Sequence, residues 1–290
     1  MRFSLCVAVV LVAGVAPSFA QDAQQRTEWN RPFAPFTVIE NVHYVGVAGI
    51  SAFLVTGPQG HILLDGGLPE SAALIAANIR KLGFRLRDVK IILINHAHFD
   101  HAGGLAELKR LTGARLIASR IERLQLEAGR TQGRPELASF RAVRVDRVVA
   151  DGEEVHLGPI VLTTVLTPGH TAGSTSWATT VAGRQVLFAS SLTVAGQRLV
   201  GDRDYPAAAA DFAASFKRLR ARDADVFLTF HPEFFDMQAK RARQLAGERE
   251  AFVDRSELAR VLDRAERGFA KELAAQRATG PGAVSSTSSE

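Results

Sequence analysis

The sequence predicts an α/β fold in which two β-sheets pack face to face beneath outer helices. Three observations point to it. Runs of strand length recur in both halves of the 290 residues, and in each half they give way to segments of helical spacing. The run 89–94 is apolar almost throughout, as suits a central strand buried on both faces. Metal-competent side chains sit just past strand runs in both halves, so the halves must meet at one place and form one domain.

In chain order, a polar, proline-bearing arm is expected over 21–34. Short strands follow at 36–39, 43–47, 51–56 and 61–65, punctuated by Gly and Pro. Segment 69–82 places Leu74, Ile75, Ile79 and Leu82 on one helical face, and Gly83 stands where such a helix stops. After the 89–94 strand come a helix over 102–111, a strand over 115–118 and a helix over 119–128. Residues 129–142 read as a surface excursion that would make a rim. The second half gives strands at 145–149, 160–166, 174–180 and 185–189, a helix over 207–220 and a strand over 226–230. Helices near 237–245 and 256–275 complete it. The domain is expected to span 21–278, and the tail 279–290, rich in Gly, Ser and Thr, to be disordered.

The first twenty residues read as a secretory signal: Arg2, an apolar run over 5–15, then Pro17-Ser18-Phe19-Ala20 with small residues where a peptidase cuts. The run is too short to span a bilayer comfortably. A periplasmic chain, free of the membrane once the signal is removed, is the expectation. The only cysteine, Cys6, lies inside that signal, which removes thiolates from the possible metal ligands and disulfides from the mature chain. A formal charge of +5 is scattered with no basic run, so no nucleic-acid partner is expected.

Three of the eight histidines crowd into His96-Ala97-His98-Phe99-Asp100-His101, directly after the buried strand. On extended backbone His96 and His98 face the same way and suit one metal ion. Asp100 and His101 point elsewhere, at the start of the next helix, and suit a second ion nearby. His170, in Thr167-Pro168-Gly169-His170-Thr171, and His231, in Thr229-Phe230-His231-Pro232, each follow a strand run. Alone either would read as structural; beside the first cluster both read as ligands. His43, His61 and His156 have no metal-competent neighbours and read as structural or surface residues.

This pattern resembles the metallo-β-lactamase superfamily: His-x-His-x-Asp-His, then Pro-Gly-His-Thr-x-Gly-Ser, then a strand-terminal His, with Leu63-Leu64-Asp65-Gly66-Gly67 before the first helix. The resemblance covers roughly residues 36–276. It implies an αβ/βα four-layer sandwich of two mixed sheets with helices outside and metals at one edge. Where many hydrolases of the superfamily carry a bridging Asp, this chain reads Phe188-Ala189-Ser190-Ser191-Leu192-Thr193. That replacement, with the Asp100-His101 pair, resembles class B β-lactamases of subclass 3. Members of that subclass often carry a disulfide, which this chain cannot form.

The resemblance implies two Zn2+ ions, one on His96, His98 and His170, the other on Asp100, His101 and His231. Imidazole and carboxylate donors suit zinc. Asp100 would also orient the metal-activated hydroxide that attacks the lactam carbonyl. Ser191 and Thr193 are expected to hold the substrate carboxylate. Asp65 is a candidate outer acceptor for a ligating imidazole, or else a turn-stabilising Asp. Trp29 would wall the pocket or simply pack. The expected activity is a secreted β-lactamase conferring antibiotic resistance, monomeric, with a small-molecule β-lactam substrate. The alternatives are a lactonase or thioesterase of the same fold, and a periplasmic zinc-binding or interaction protein without turnover. A nuclease of the superfamily is poorly served by dispersed charge.

Overall fold

Strand alternation organises the molecule, whose computed structural model describes residues 19–279. The first sheet has the order β1 (Phe36–Ile39), β2 (Val42–Tyr44), β3 (Phe53–Gly57), β4 (Gly60–Leu64), β5 (Val89–Leu93), β6 (Arg115–Ser119) and β7 (Arg147–Val149). It is antiparallel from β1 to β4 and parallel from β4 to β7. The second sheet runs β12 (Val226–Thr229), β11 (Arg184–Ala189), β10 (Thr175–Val181), β9 (Ile160–Leu166) and β8 (Glu154–Leu157). Only its β11–β12 pair is parallel, so both sheets are mixed.

The continuous apolar run at β5 is explained by two cores. Ile91 and Leu93, with Ile62 and Leu64 of β4, face the second sheet, where Leu162 and Phe188 meet them. Ile92 and Leu63 point the other way, into a core shared with Ile75 and Ile79 of α2 (Ser71–Lys81) and with Leu105 and Leu108 of α4 (Leu105–Thr112). Side chains two apart share a face, so a strand covered on both sides is apolar on both, here at every position but the exposed Lys90 near its start. Phe212 of α6 (Ala208–Arg220) and Leu262 of α8 (Glu257–Thr279) pack outside the second sheet, completing the four-layer αβ/βα sandwich that the sequence predicts.

Several local readings are corrected. The expected arm over 21–34 is instead helical as far as Trp29, in α1 (Phe19–Trp29). Its Ala, Gln and Arg residues are good helix formers, and Arg26 forks onto Glu70 at 2.5 and 2.7 Å. The expected helix over 102–111 is two helices, α3 (Phe99–Ala102) and α4, separated at Gly103-Gly104. A Cβ on Gly104 would lie 2.2 Å from the Gly66 carbonyl, so the loop after β4 needs this glycine to approach. Strand β8 was not expected, because its four residues are partly charged, as suits a sheet edge. Helix α8 continues to Thr279, the first residue of the expected tail. The rest of that tail, and the expected signal up to Ser18, lie outside the described residues. Among those described, no helix is long and apolar enough to cross a membrane.

Candidate metal centre

Strand ends build the site. The C-terminal ends of β4 and β5 in one sheet, and of β9, β11 and β12 in the other, open onto one edge of the sandwich. The sheets are tied there: Thr175 N–H donates to Asn95 C=O at 2.8 Å, Trp177 Nε1–H to Ile94 C=O at 3.2 Å, and Ser51 N–H to Phe230 C=O at 2.9 Å.

Two triads converge at this edge. His96, His98 and His170, all buried, bring one ligand atom each within 4.8 Å of one another, and so do Asp100, His101 and His231. The triads abut, with the His96 and His101 ring centroids 4.4 Å apart. Four of the five rings spend Nδ1 on a fixed acceptor. His96 donates to Asn95 Oδ1, His170 to Thr193 C=O at 2.7 Å, His101 to Asp65 Oδ2 at 2.7 Å and His231 to Gly49 C=O at 3.3 Å. This orients every remaining Nε2 toward the centre. His98 directs Nδ1 there instead, 3.1 Å from His170 Nε2.

The residues fit a cation. The Nε2 atoms of His96 and His101 are buried with no hydrogen-bond partner. Asp100 Oδ2 sits 3.3 Å from both His101 Nε2 and His231 Nε2. A buried, uncharged nitrogen left without a partner, as His96 Nε2 is, is costly unless a positive centre takes up its lone pair. Burial, reinforced by neighbouring positive rings, holds His96 and His98 well below the usual histidine range and His170 down to about 4. At His101 burial works in the same direction, but the charges of Asp100 and Asp65 overcome it and raise the ring to about 9. Burial pushes Asp65 up to about 6 against the pull of His101. Burial also opposes the ionisation of Asp100, yet His101 and His231 hold its carboxyl far below the usual range.

All six residues expected to act as ligands are thus brought together. Asp65 lies behind His101, on backbone with φ of +77° that turns its carboxylate inward. Ser191 is buried and Thr193 half-buried, on the loop whose Thr193 carbonyl orients His170. Trp29 packs against His231 with ring centroids 5.4 Å apart. His43 bonds Thr37 and Thr56, His61 packs edge-on to Phe84, and exposed His156 pairs with Glu154. All three stand away from both triads.

Sequence reasoning missed three neighbours of the site. Asn95 accepts from His96 and is bonded by Ser190 Oγ at 3.3 Å. Arg134, on the excursion after α5 (Arg120–Ala128), reaches Ala195 C=O at 3.1 Å and joins that rim to the Thr193 loop. Glu122, in α5, is fully buried and contacts both loops of the first triad. Asn95 could have been found, since it adjoins His96; nothing in the local pattern distinguishes Arg134 or Glu122 from surface charges.

The sequence pattern of the metallo-beta-lactamase superfamily matches residues 45–231, and the chain belongs to that superfamily. Its solved structural neighbours include subclass B3 enzymes. BJP-1 of Bradyrhizobium japonicum, a subclass B3 metallo-beta-lactamase, is 42% identical with a TM-score of 0.82, covering 87% of this chain and 98% of its own. A metallo-beta-lactamase of Cronobacter sakazakii, described by a HARLDQ motif, is 42% identical with a TM-score of 0.85, covering 88% and 99%. This chain reads His96-Ala97-His98-Phe99-Asp100-His101, with histidine at the third and sixth places of such a motif. Curated relatives include hydroxyacylglutathione hydrolases. One from Methylobacterium nodulans is 36% identical over 105 residues, which is 36% of this chain and 33% of the relative. One from Rhodopseudomonas palustris is 30% identical over 205 residues, 70% of each. The chain thus spans only about a third of the first of these relatives and about two thirds of the second.

Proposed function

We propose that the chain is a dizinc β-lactamase of the subclass B3 type, acting in the periplasm on β-lactam antibiotics. One observation carries the reading: two complete triads meet where β11 ends in Ser190-Ser191 rather than in a carboxylate shared between them. His96, His98 and His170 would hold one zinc, and Asp100, His101 and His231 the other. When bound, such a pair supplies Lewis acidity and a water whose pKa is lowered to about 7.

The chain's own residues do the rest. Asn95, Thr193, Asp65 and Gly49 fix the imidazole tautomers, so no ring need turn as substrate arrives. Asp100, ionised under all ordinary conditions, offers an acceptor that orients the attacking water. Ser191 and Thr193 would hold the substrate carboxylate and set the lactam carbonyl at attack distance. Trp29 and Phe234 both pack against His231 and would wall that flank of the site.

The likeness to hydroxyacylglutathione hydrolases favours a second reading, a thioesterase using the same metals. Steady-state kinetics separate the two. Zinc-loaded protein is expected to hydrolyse a chromogenic cephalosporin, to lose that activity to a chelator and to resist inhibitors that acylate a catalytic serine. Efficient thioester or lactone cleavage with β-lactams untouched would replace this reading with the second.

A further inference from the structure

Helix α5 begins with Ser119-Arg120-Ile121-Glu122, the spacing of a reciprocal helix cap. Only half of that cap forms. Ser119 Oγ accepts from Glu122 N–H at 3.5 Å, while the Glu122 carboxylate turns away from the helix into the protein. There Oε2 accepts the Ala97 N–H at 2.6 Å and Oε1 accepts the Thr171 hydroxyl. Gln125 Nε2 adds a donor at 3.3 Å. Ala97 is the residue between His96 and His98, and Thr171 follows His170. One carboxylate therefore grips both loops that carry the first triad, one from each half of the chain.

The surroundings are shaped for this grip. Thr131 Oγ1 donates to Ala97 C=O at 2.9 Å, so both polar groups of Ala97 are held by side chains. A Cβ on Gly173 would lie 2.8 Å from both Glu122 Oε1 and Glu122 N, so the His170 loop needs glycine there to press against the carboxylate. No ion pair reaches Glu122 among the described residues, and burial pushes its carboxyl up to about 7. A carboxylate buried without a counter-charge is costly, and an apolar side chain would fill the same space more easily.

We propose that Glu122 is a positioning residue for the first triad: by fixing Ala97 and Thr171 to one another, it sets the mutual placement of His96, His98 and His170. The inference rests on the reading of that triad as a metal site. It implies that Glu122 governs zinc affinity at the first triad and leaves the second untouched.

The test isolates each triad in the full chain. In a His231→Ala background only the first triad is complete; in a His170→Ala background only the second is. Zinc affinity is measured by competition with a chromophoric chelator, and folding by circular dichroism. In the first background Glu122→Ala is expected to weaken zinc binding about 10–100-fold, the usual cost of losing a partner that orients ligands. In the second background it leaves affinity unchanged. Glu122→Gln restores part of the loss, because its carbonyl can still accept from Ala97 while its amide opposes the Gly173 N–H that also donates to the carboxylate. Equal weakening at both triads, or none at the first, overturns the proposal. Should Glu122→Ala not fold, Thr171→Val decides: weaker binding at the first triad alone supports it, and wild-type affinity there overturns it. A wild-type chain that binds no zinc at all would instead overturn the metal reading and this inference with it.

Discussion

The two triads lie in contact, yet they are built from opposite electrostatics. The first is three buried rings whose fixed acceptors are neutral: the Asn95 amide and the Thr193 carbonyl. Burial keeps these rings uncharged, with His170 down to about 4. The second encloses two carboxylates, Asp65 and Asp100, which outweigh burial and keep a proton on His101 up to about pH 9. The first triad is therefore ready for a cation at neutral pH. The second already contains a positive charge, which a metal ion must displace.

The largest effect that separates these regions is loss of a ligand. His170→Ala is expected to remove the first ion and lower kcat/KM by at least ~100-fold, since each 1.36 kcal/mol of lost transition-state stabilisation is about tenfold and a metal supplies several kcal/mol. His156→Ala, on an exposed ring paired with Glu154, should change neither metal content nor rate. Elemental analysis and a cephalosporin assay read both. Equal losses in the two variants would break the division of the histidines.

A smaller effect sharpens the comparison through pH. Below about 9, zinc must expel one proton from His101, so affinity at the second triad should fall about tenfold per pH unit. Affinity at the first triad should stay level down to about pH 5, because His170 has already lost its proton there. Without metal the direction reverses. The raised His101 value stabilises the fold fully below its unfolded value of 6.5, and that contribution is lost as pH climbs through about 9. Asp65→Asn keeps an acceptor but removes one of the two charges, so it should flatten the slope at the second triad alone. Chelator competition between pH 6 and 10 checks this, and identical slopes at both triads would contradict it.

Legibility followed the same divide between local and distant causes. The cluster from His96 to His101 was readable because strand periodicity and adjacency fix where neighbouring residues point. The sandwich was readable because a strand apolar on both faces demands cover on both sides, as Ile91, Ile92 and Leu93 show. Glu122 and Arg134 were not readable, because the bonds that define them reach Thr171 and Ala195, far along the chain. The helix at Phe19–Trp29 was missed because polarity and nearby prolines outweighed propensity, and its anchor at Glu70 is equally remote. A cap pattern at Ser119 to Glu122 would even have misdirected the reading, since the carboxylate abandons it.

The smallest effect concerns the loop that serves both the first triad and the substrate. Thr193 contributes to His170 only through its carbonyl, at 2.7 Å, and a backbone group survives any side-chain substitution. Ser191 donates nothing to either triad. Replacing both by Ala should therefore leave zinc content at the wild-type level while weakening hold on the substrate carboxylate. A hydrogen bond to a charged group is worth about 1.5–3 kcal/mol when nothing replaces it. Thr193 is half-buried and water can enter, so the lower end applies, about tenfold in KM for each hydroxyl, with kcat less affected. Substrates that lack the carboxylate sharpen the point, because they should not distinguish the double variant from wild type. If zinc is lost along with affinity, the side chains support the triad and not the substrate. If neither changes, the carboxylate is held elsewhere on the rim, where Arg134, buried beside this loop with one Nη atom unpartnered, is the next group to replace.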